Sequence, residues 1–346
     1  MTALERKNTD TGDPVALQVL TNTSLFRATI VYMPGISFSI KAYTAQIRLD
    51  RPTLSLGLKD NSLLGFAAAR GDLRMVQIVL RNVPNPDRAI EYALFCAIVA
   101  GQLKVLEHLF ARWHQAHDGH AVPPISTYAL NGAAKHGHLN ILKFLHEQQV
   151  GTGWTVDCMN SAAAAGHLDI VCFLHTHRSE GCTSFAMNQA AENGHLQVVR
   201  FLHENRDEGC TSFAMDQAAK NGHLDVVKFL HTHRTEGCTT YAMTSAAFSG
   251  HLEIVRFLHD FRTEGCTKEA MDGAALYGHL DIVRFLHEHR DEGCTEHAIN
   301  WAAAHGSLDV VRYLHLHRTE GCAVHASALA ARYGHSTIVN WFHALP

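Results

Sequence analysis

Six cysteines, Cys182, Cys210, Cys238, Cys266, Cys294 and Cys322, recur at one constant step along the chain without a slip. A fixed period of this size is the mark of a tandem array, in which each unit is one supersecondary motif. The same phrase surrounds each cysteine: Gly-Cys-Thr, then Ala-Met, Ala-Ala, Gly-His-Leu-Asp-Val-Val-Arg-Phe-Leu-His, and a polar Arg-x-Glu that leads into the next Gly-Cys. One copy spans 209–236. The second glycine of the phrase can be followed farther back, through Gly71, Gly101, Gly137, Gly166, Gly194, Gly222, Gly250, Gly278, Gly306 and Gly334. Ten repeats are therefore legible. Their steps are uneven and longer from Gly71 to Gly166, and settle into the constant interval of the cysteines from Gly166 onward. The early units carry longer loops, over 83–91 and 114–127.

Each repeat reads as two short antiparallel helices. Ala214, Met215, Ala218 and Ala219 recur on one face of the first, and Gly222 supplies the positive φ that a helix end prefers. In the second, Leu224, Val226, Val227, Phe229 and Leu230 form a wide apolar face, with Asp225, Lys228 and Thr232 as a narrow polar stripe. Such a helix lies between neighbours. Acidic Asp225 in its first turn and Arg234 just past its end suit the helix dipole. A unit this small cannot bury its own apolar face, so the repeats must stack into a solenoid.

The run Ala218-Ala219-Lys220-Asn221-Gly222-His223-Leu224-Asp225-Val226-Val227-Lys228-Phe229-Leu230 closely follows the pattern Ala-Ala-x-x-Gly-His-x-x-Val-Val-x-Leu-Leu, and here the chain resembles an ankyrin-repeat protein. The resemblance covers roughly residues 60 to 346. It implies an all-α, ankyrin-type solenoid of about ten stacked helical pairs over 61–346, with 1–60 as a separate cap or adaptor segment. Two departures stand out. Segments such as Phe213-Ala214-Met215-Asp216 replace the family's Thr-Pro-Leu-His, and the unit is about five residues shorter than the usual 33. The missing residues fall where the family places a β-turn finger, so the fingers are expected to be stubs. Ten units at roughly 8 to 10 Å each would make a rod on the order of 90 Å long.

Nine cysteines and 27 histidines invite a metal or redox reading. Successive cysteines of the register lie one repeat apart, beyond the roughly 7 Å that a disulfide tolerates, and Trp154 and Ile125 hold the same slot in the two preceding units. A slot that accepts Cys, Trp or Ile is an apolar packing site. The Phe-Leu-His column, His146, His175, His203, His231, His259, His287, His315 and His343, becomes Phe110 and Leu80 in the first two repeats, as befits a packed, hydrogen-bonded structural histidine. The Gly-His column, His138, His167, His195, His223, His251, His279 and His335, becomes Asp72, Gln102 and Ser307, residues suited to capping the turn into the second helix. His-x-His pairs such as His231 and His233 point about 200° apart around a helix and cannot share one ion. No metal site and no cofactor is expected. No phosphate-cradling loop, nucleophile elbow or His-Glu-x-x-His stands in the chain, so it is not expected to be an enzyme.

A net charge of −4, with acids and bases alternating inside every repeat, offers no basic footprint for nucleic acid. No apolar run approaches the roughly 20 residues that span a bilayer, and Glu5, Arg6, Lys7, Asp10 and Asp13 leave no room for a secretory segment. A monomeric intracellular protein, cytoplasmic or nuclear, is the expectation.

In an array, locked positions carry stacking and drifting positions are free for recognition. The pair before the repeat glycine drifts through Phe248 and Ser249, Leu276 and Tyr277, Ala304 and His305, and Arg332 and Tyr333. The resemblance to ankyrin proteins implies that this pair faces the concave groove where protein partners bind. Lys268 and Glu269 drift at the start of the first helix, and Trp301 occupies a third drifting slot. Phe248, Lys268, Glu269, Leu276, Tyr277, Trp301, His305, Arg332 and Tyr333 are thus the candidate partner-binding residues, aromatics with arginine being the types that anchor interfaces. The competing reading packs some of these rings between adjacent repeats. The expected function is a non-catalytic protein-interaction scaffold; the alternative is a regulatory adaptor. In the segment 1–60, Asp13-Pro14 would start a helix through Leu20, Met33-Pro34-Gly35 would end a second, and Ile36 to Leu49 reads as strand or helix. That segment either caps the first repeat or acts as an F-box-like adaptor recruiting a ubiquitin ligase.

Overall fold

A computed structural model describes residues 61–82, 87–117, 121–150 and 152–345. The expectations for 1–60, cap or adaptor, lie outside the described residues. Among the described residues the structure holds twenty helices and no strand. It divides into two compact units between Cys158 and Met159, each described by itself.

The first unit contains α1 (Asn61–Ala69) with α2 (Leu73–Asn82), α3 (Asp87–Val99) with α4 (Leu103–Ala116), and α5 (Thr127–Lys135) with α6 (Leu139–Glu147). The division falls inside α7 (Val156–Ala164). The second unit continues with α8 (Leu168–His177) and pairs α9 (Ser184–Glu192) with α10 (Leu196–Asn205), α11 (Ser212–Lys220) with α12 (Leu224–His233), and α13 (Thr240–Phe248) with α14 (Leu252–Phe261). Then come α15 (Glu269–Leu276) with α16 (Leu280–His289), α17 (His297–Ala304) with α18 (Leu308–His317), and α19 (Ala323–Arg332) with α20 (Ser336–His343).

The turn inside each pair is set by two residues. After α11 the chain enters the left-handed region at Gly222, φ 85°. The Gly222 N–H donates to the Ala219 carbonyl at 3.3 Å and the His223 N–H to that of Ala218 at 2.9 Å. This double closure satisfies the carbonyls left open at a helix end. His223 is at once the first flanking residue of α12, so no slack separates the two helices. Ala214, Met215, Ala218, Ala219, Val226, Val227 and Leu230 are buried, while Asp225, Lys228 and Thr232 face solvent, as the apolar spacing anticipates.

Between pairs the connection is short. From α12 to α13 it is 234–239, without a strand, where a longer repeat would extend a finger. Arg234 leaves the helix in an extended conformation, and its guanidinium pairs with Glu236 inside the same turn. The arginine therefore serves the loop. Its hydrogen bonds hold the Glu236 carboxyl down to about 2. These pairs also reach back one repeat: the Cys182 N–H donates to Glu208 at 3.4 Å and the Cys266 N–H to Glu292 at 3.3 Å.

The cysteine column packs as a small apolar group. Cys182, Cys210, Cys266 and Cys294 are buried, as are Ile125 and Trp154 in the same slot of the earlier units. Burial pushes the Cys210 thiol up to about 11. None of the nine cysteines forms a disulfide.

Two expectations for the histidines are corrected. The Gly-His side chains do not cap their own helices. They reach back instead: Nε2 of His138 donates to the Val99 carbonyl at 3.1 Å and Nε2 of His335 to that of Ala304 at 2.9 Å. The ring covers the glycine of the preceding repeat, where no side chain stands in its way. In the Phe-Leu-His column, Nδ1 of His175, His203, His231 and His259 is buried with no hydrogen-bond partner. These rings are held by aromatic contact rather than by hydrogen bonds.

A buried polar staple went unanticipated. Two residues after Ala214, at a slot that varies between repeats, Asp216 accepts from the Thr239 N–H at 2.8 Å and from the Thr239 hydroxyl at 2.9 Å. Asn188 and Thr211, and Asp272 and Thr295, make the equivalent pairs. The side chain of one repeat thereby supplies an acceptor to the N-terminal turn of the next one's first helix, where backbone donors lack intrahelical partners.

Candidate partner-binding face

The first helices of the second unit position the candidate residues. Phe248 closes α13, and its ring lies against α15 over Gly273, where a Cβ would collide with it. Other repeats place Gln217, Ser245 and Trp301 in that slot, so the glycine clears a seat for the ring. Tyr277, just past α15, meets Phe248 edge to face, centroids 4.9 Å apart at 66°. On its other side it lies near His279, at 6.3 Å. The pair is ordered across two repeats, yet Tyr277 remains 57% exposed and Phe248 40%.

Trp301 stands in the middle of α17, 36% exposed. His297, one turn earlier, stacks on it at 4.7 Å and 10°, and Nδ1 of His305, one turn later, lies 3.1 Å from the Trp301 carbonyl oxygen. Their i, i+4 helical spacing places all three on one face. Arg332 and Tyr333 end the first helix of the last pair; both are exposed, with the guanidinium carbon 5.8 Å from the Tyr333 ring centre. Leu276 is half-buried. Lys268 and Glu269 are exposed at the N-terminal end of α15, opposite Tyr277.

The structure thus brings Phe248 and Tyr277 into contact and stacks His297 on Trp301. Lys268 and Glu269 lie at the other end of α15 from Tyr277, and Arg332 and Tyr333 form a pair of their own. The two readings of the rings meet at Phe248: it packs against the next repeat and is exposed as well.

Further surface features were not singled out from the sequence. Phe185, Phe213 and Tyr241 are exposed at one slot on α9, α11 and α13, and the repeat frame shows them once the slot is read down the column. In the first unit, Arg88, Glu91, Tyr92 and Phe95 of α3 and the stretch from Pro124 to Ala129 line an open groove of 570 Å³; it sits beside the longer early loop and has no periodic signal. Among the described residues no three potential metal ligands converge, and no helix is long and apolar enough to cross a membrane.

Three overlapping stretches, 159–240, 187–272 and 215–295, match the family model described as ankyrin repeats. No curated protein matches the chain. Residues 159–295 thus match ankyrin repeats, here of a shortened unit, and the helical pairs with their Gly-His turns among the described residues are consistent with an ankyrin-type solenoid. Ankyrin repeats are, as a class, protein-interaction modules, and the fold is typically non-enzymatic.

Proposed function

We propose that this protein is a non-catalytic scaffold that holds a partner protein on the first-helix face of its repeat array, with Phe248, Tyr277 and Trp301 as anchors. One observation carries the reading. The Phe248–Tyr277 pair is fixed by packing on the seat at Gly273 while most of the Tyr277 surface stays open. A ring ordered before binding loses little freedom on binding, the condition under which aromatic side chains contribute most to an interface. Lys268, Glu269, Leu276, His305, Arg332 and Tyr333 supply the surrounding polar and apolar contacts. Nine cysteines without a disulfide accord with an intracellular, reducing setting, and the face acts in a monomer.

The test is capture of partners by the full chain, followed by affinity measurement with Tyr277→Ala and Trp301→Ala. Each change is expected to weaken binding roughly tenfold or more, about 1.4 kcal/mol, while the thermal melt moves by no more than about 2 °C. A melt that collapses in step with binding would make these rings core and end the proposal.

A further inference from the structure

The second helices of the later repeats carry a histidine column with an unusual set of neighbours. His175, His203, His231, His259, His287 and His315 stand on α8, α10, α12, α14, α16 and α18. Each meets an aromatic ring of the following repeat edge to face: Phe201, Phe229, Phe257, Phe285, Tyr313 and Trp341, with centroids 5.4 to 5.7 Å apart. Five of those rings already hold a cation. Arg200, Lys228, Arg256, Arg284 and Arg312, each three residues before a column histidine, lie 5.5 to 6.0 Å from the centres of Phe229, Phe257, Phe285, Tyr313 and Trp341.

A ring attracts one cation through its π face. A protonated histidine would set a second positive charge on the same ring, one helical turn from the first. The remaining neighbours do not offset it. His203 faces His233 at 5.6 Å, His259 faces His289 at 5.7 Å, and His287 faces His317 at 5.6 Å. His231 and His315 face Phe261 and Phe342. Arg318 brings Nη1 to 3.5 Å from Nδ1 of His287. The carboxylates acting on His287 are Glu288 and Glu320, the latter paired with Arg318. At His175, His203, His231 and His259 the buried Nδ1 has no acceptor to receive a new N–H. An unmet buried donor on a charged group is costlier than the lone pair it replaces.

We propose that this column is a pH-sensitive device: neutral, it joins successive repeats of the second unit through ring contacts, and protonated, it loosens them. The inference stands apart from the partner-binding reading. The first unit provides its control, because Phe110 holds the same slot and meets Phe144 edge to face at 5.2 Å and 81°. The contact persists there with a ring that cannot titrate.

Thermal melts of the full-length protein between pH 7.5 and 5.5 test the device. The wild type should lose roughly 5 to 10 °C over that span. The triple variant His203→Phe, His231→Phe and His259→Phe should melt at or above the wild type at pH 7.5 and lose at most about half as much, a residual slope coming from His195 and His251. A wild-type melt flat with pH, or a variant whose loss parallels the wild type, overturns the proposal. Should the triple variant not fold, Arg200→Gln with Arg256→Gln frees the Phe229 and Phe285 rings of their resident cations. That double variant should show a shallower loss, and an unchanged or steeper one overturns the proposal equally.

Discussion

The two units solve one stacking problem with different residues. In the first, the slot of the aromatic column runs through Leu80, Phe110 and His146, the cysteine slot through Ile125 and Trp154, and the Gly-His slot through Asp72, Gln102 and His138. In the second, histidine, cysteine and histidine fill those slots almost without exception. Polar stitching differs more. Six Arg–Glu pairs close the loops of the second unit, a pattern the loops of the first do not repeat in sequence, and there His117 lies 3.6 Å from Asp87. The buried staple also stops short: Asn131 and Thr155 hold the two positions, but Oδ1 of Asn131 and Oγ1 of Thr155 have no partners. The step from Asn131 to Thr155 is one longer than the step from Asp216 to Thr239, which the threonine links of Asn160, Asn188, Thr244 and Asp272 share. One extra residue in the loop is enough to part them. Apolar packing therefore tolerates changes of residue and loop length, while the polar links between repeats depend on the strict frame.

The sharpest way to probe this contrast is at the repeat glycines. Gly222 and Gly71 share a positive φ, 85° and 71°. A Cβ at Gly222 would also lie 2.7 Å from the His251 ring, a rigid group held in place by the Lys220 carbonyl. At Gly71 it would meet only the end of the Gln102 side chain, which can swing aside. Gly222→Ala should therefore cost about 3 kcal/mol in urea melts, against about 1 to 2 for Gly71→Ala, where backbone strain acts alone. Equal losses would show that the histidine wedge adds nothing.

Acid should separate the units next. Hydrogen bonding from the paired arginine holds the carboxyls of Glu208, Glu236, Glu264 and Glu292 down to about 2. Because these values lie below the ordinary glutamate range near 4.3, the fold favours the ionised form. The stability they contribute is present above the unfolded value and is lost as pH falls from there toward 2. Each pair is partly solvated, so about 0.5 kcal/mol apiece is a fair allowance, about 2 kcal/mol in all. Hydrogen exchange should show protection of α9 to α18 falling between pH 4.5 and 2.5 while that of α3 to α6 changes less. A uniform decline would break the contrast.

Much of the array was legible because a repeat compares itself. Gly222 announced the turn, Ala218 and Ala219 the close packing, and Trp154 and Ile125 reduced the cysteine register to a packing column. What stayed hidden lay between repeats. Whether His223 caps its own helix or reaches back depends on where the previous repeat ends, which spacing along the chain does not tell. The staple at Asp216 was hidden because its slot alternates among Asn, Asp and Thr, and variability suggested surface. Chemistry was in fact constant there, since each of those side chains presents an oxygen that can accept a hydrogen bond from the threonine that opens the next repeat's first helix. At the candidate face the drifting slots pointed to Phe248 and Tyr277. Their contact depends on Gly273, whose meaning appears only when the ring is seen lying on it.

The smallest effect falls on that staple. Asp216 is only 6% exposed, and burial raises its carboxyl above the ordinary aspartate value, against the lowering effect of the Thr239 hydrogen bonds. The sign follows from where the proton is held more tightly. Below the unfolded value near 3.9 both states are protonated; as pH rises, the unfolded chain ionises first, so the native state loses ground until Asp216 ionises too. At neutral pH the buried charge is therefore a net cost. Asn188, one repeat earlier, makes the link without charge: Thr211 donates its N–H to Oδ1 at 3.0 Å, and Nδ2 donates to the Thr211 hydroxyl at 3.0 Å. Asp216→Asn should then keep the staple and gain about 0.5 to 1 kcal/mol at pH 7, with the gain vanishing below pH 3.5. Urea melts at the two pH values decide it. A loss at pH 7 would mean that the ionised carboxylate, through its bonds to Thr239, outweighs the desolvation it suffers, and that the alternation of Asp and Asn down the column is not neutral exchange but a difference in how tightly successive repeats are tied.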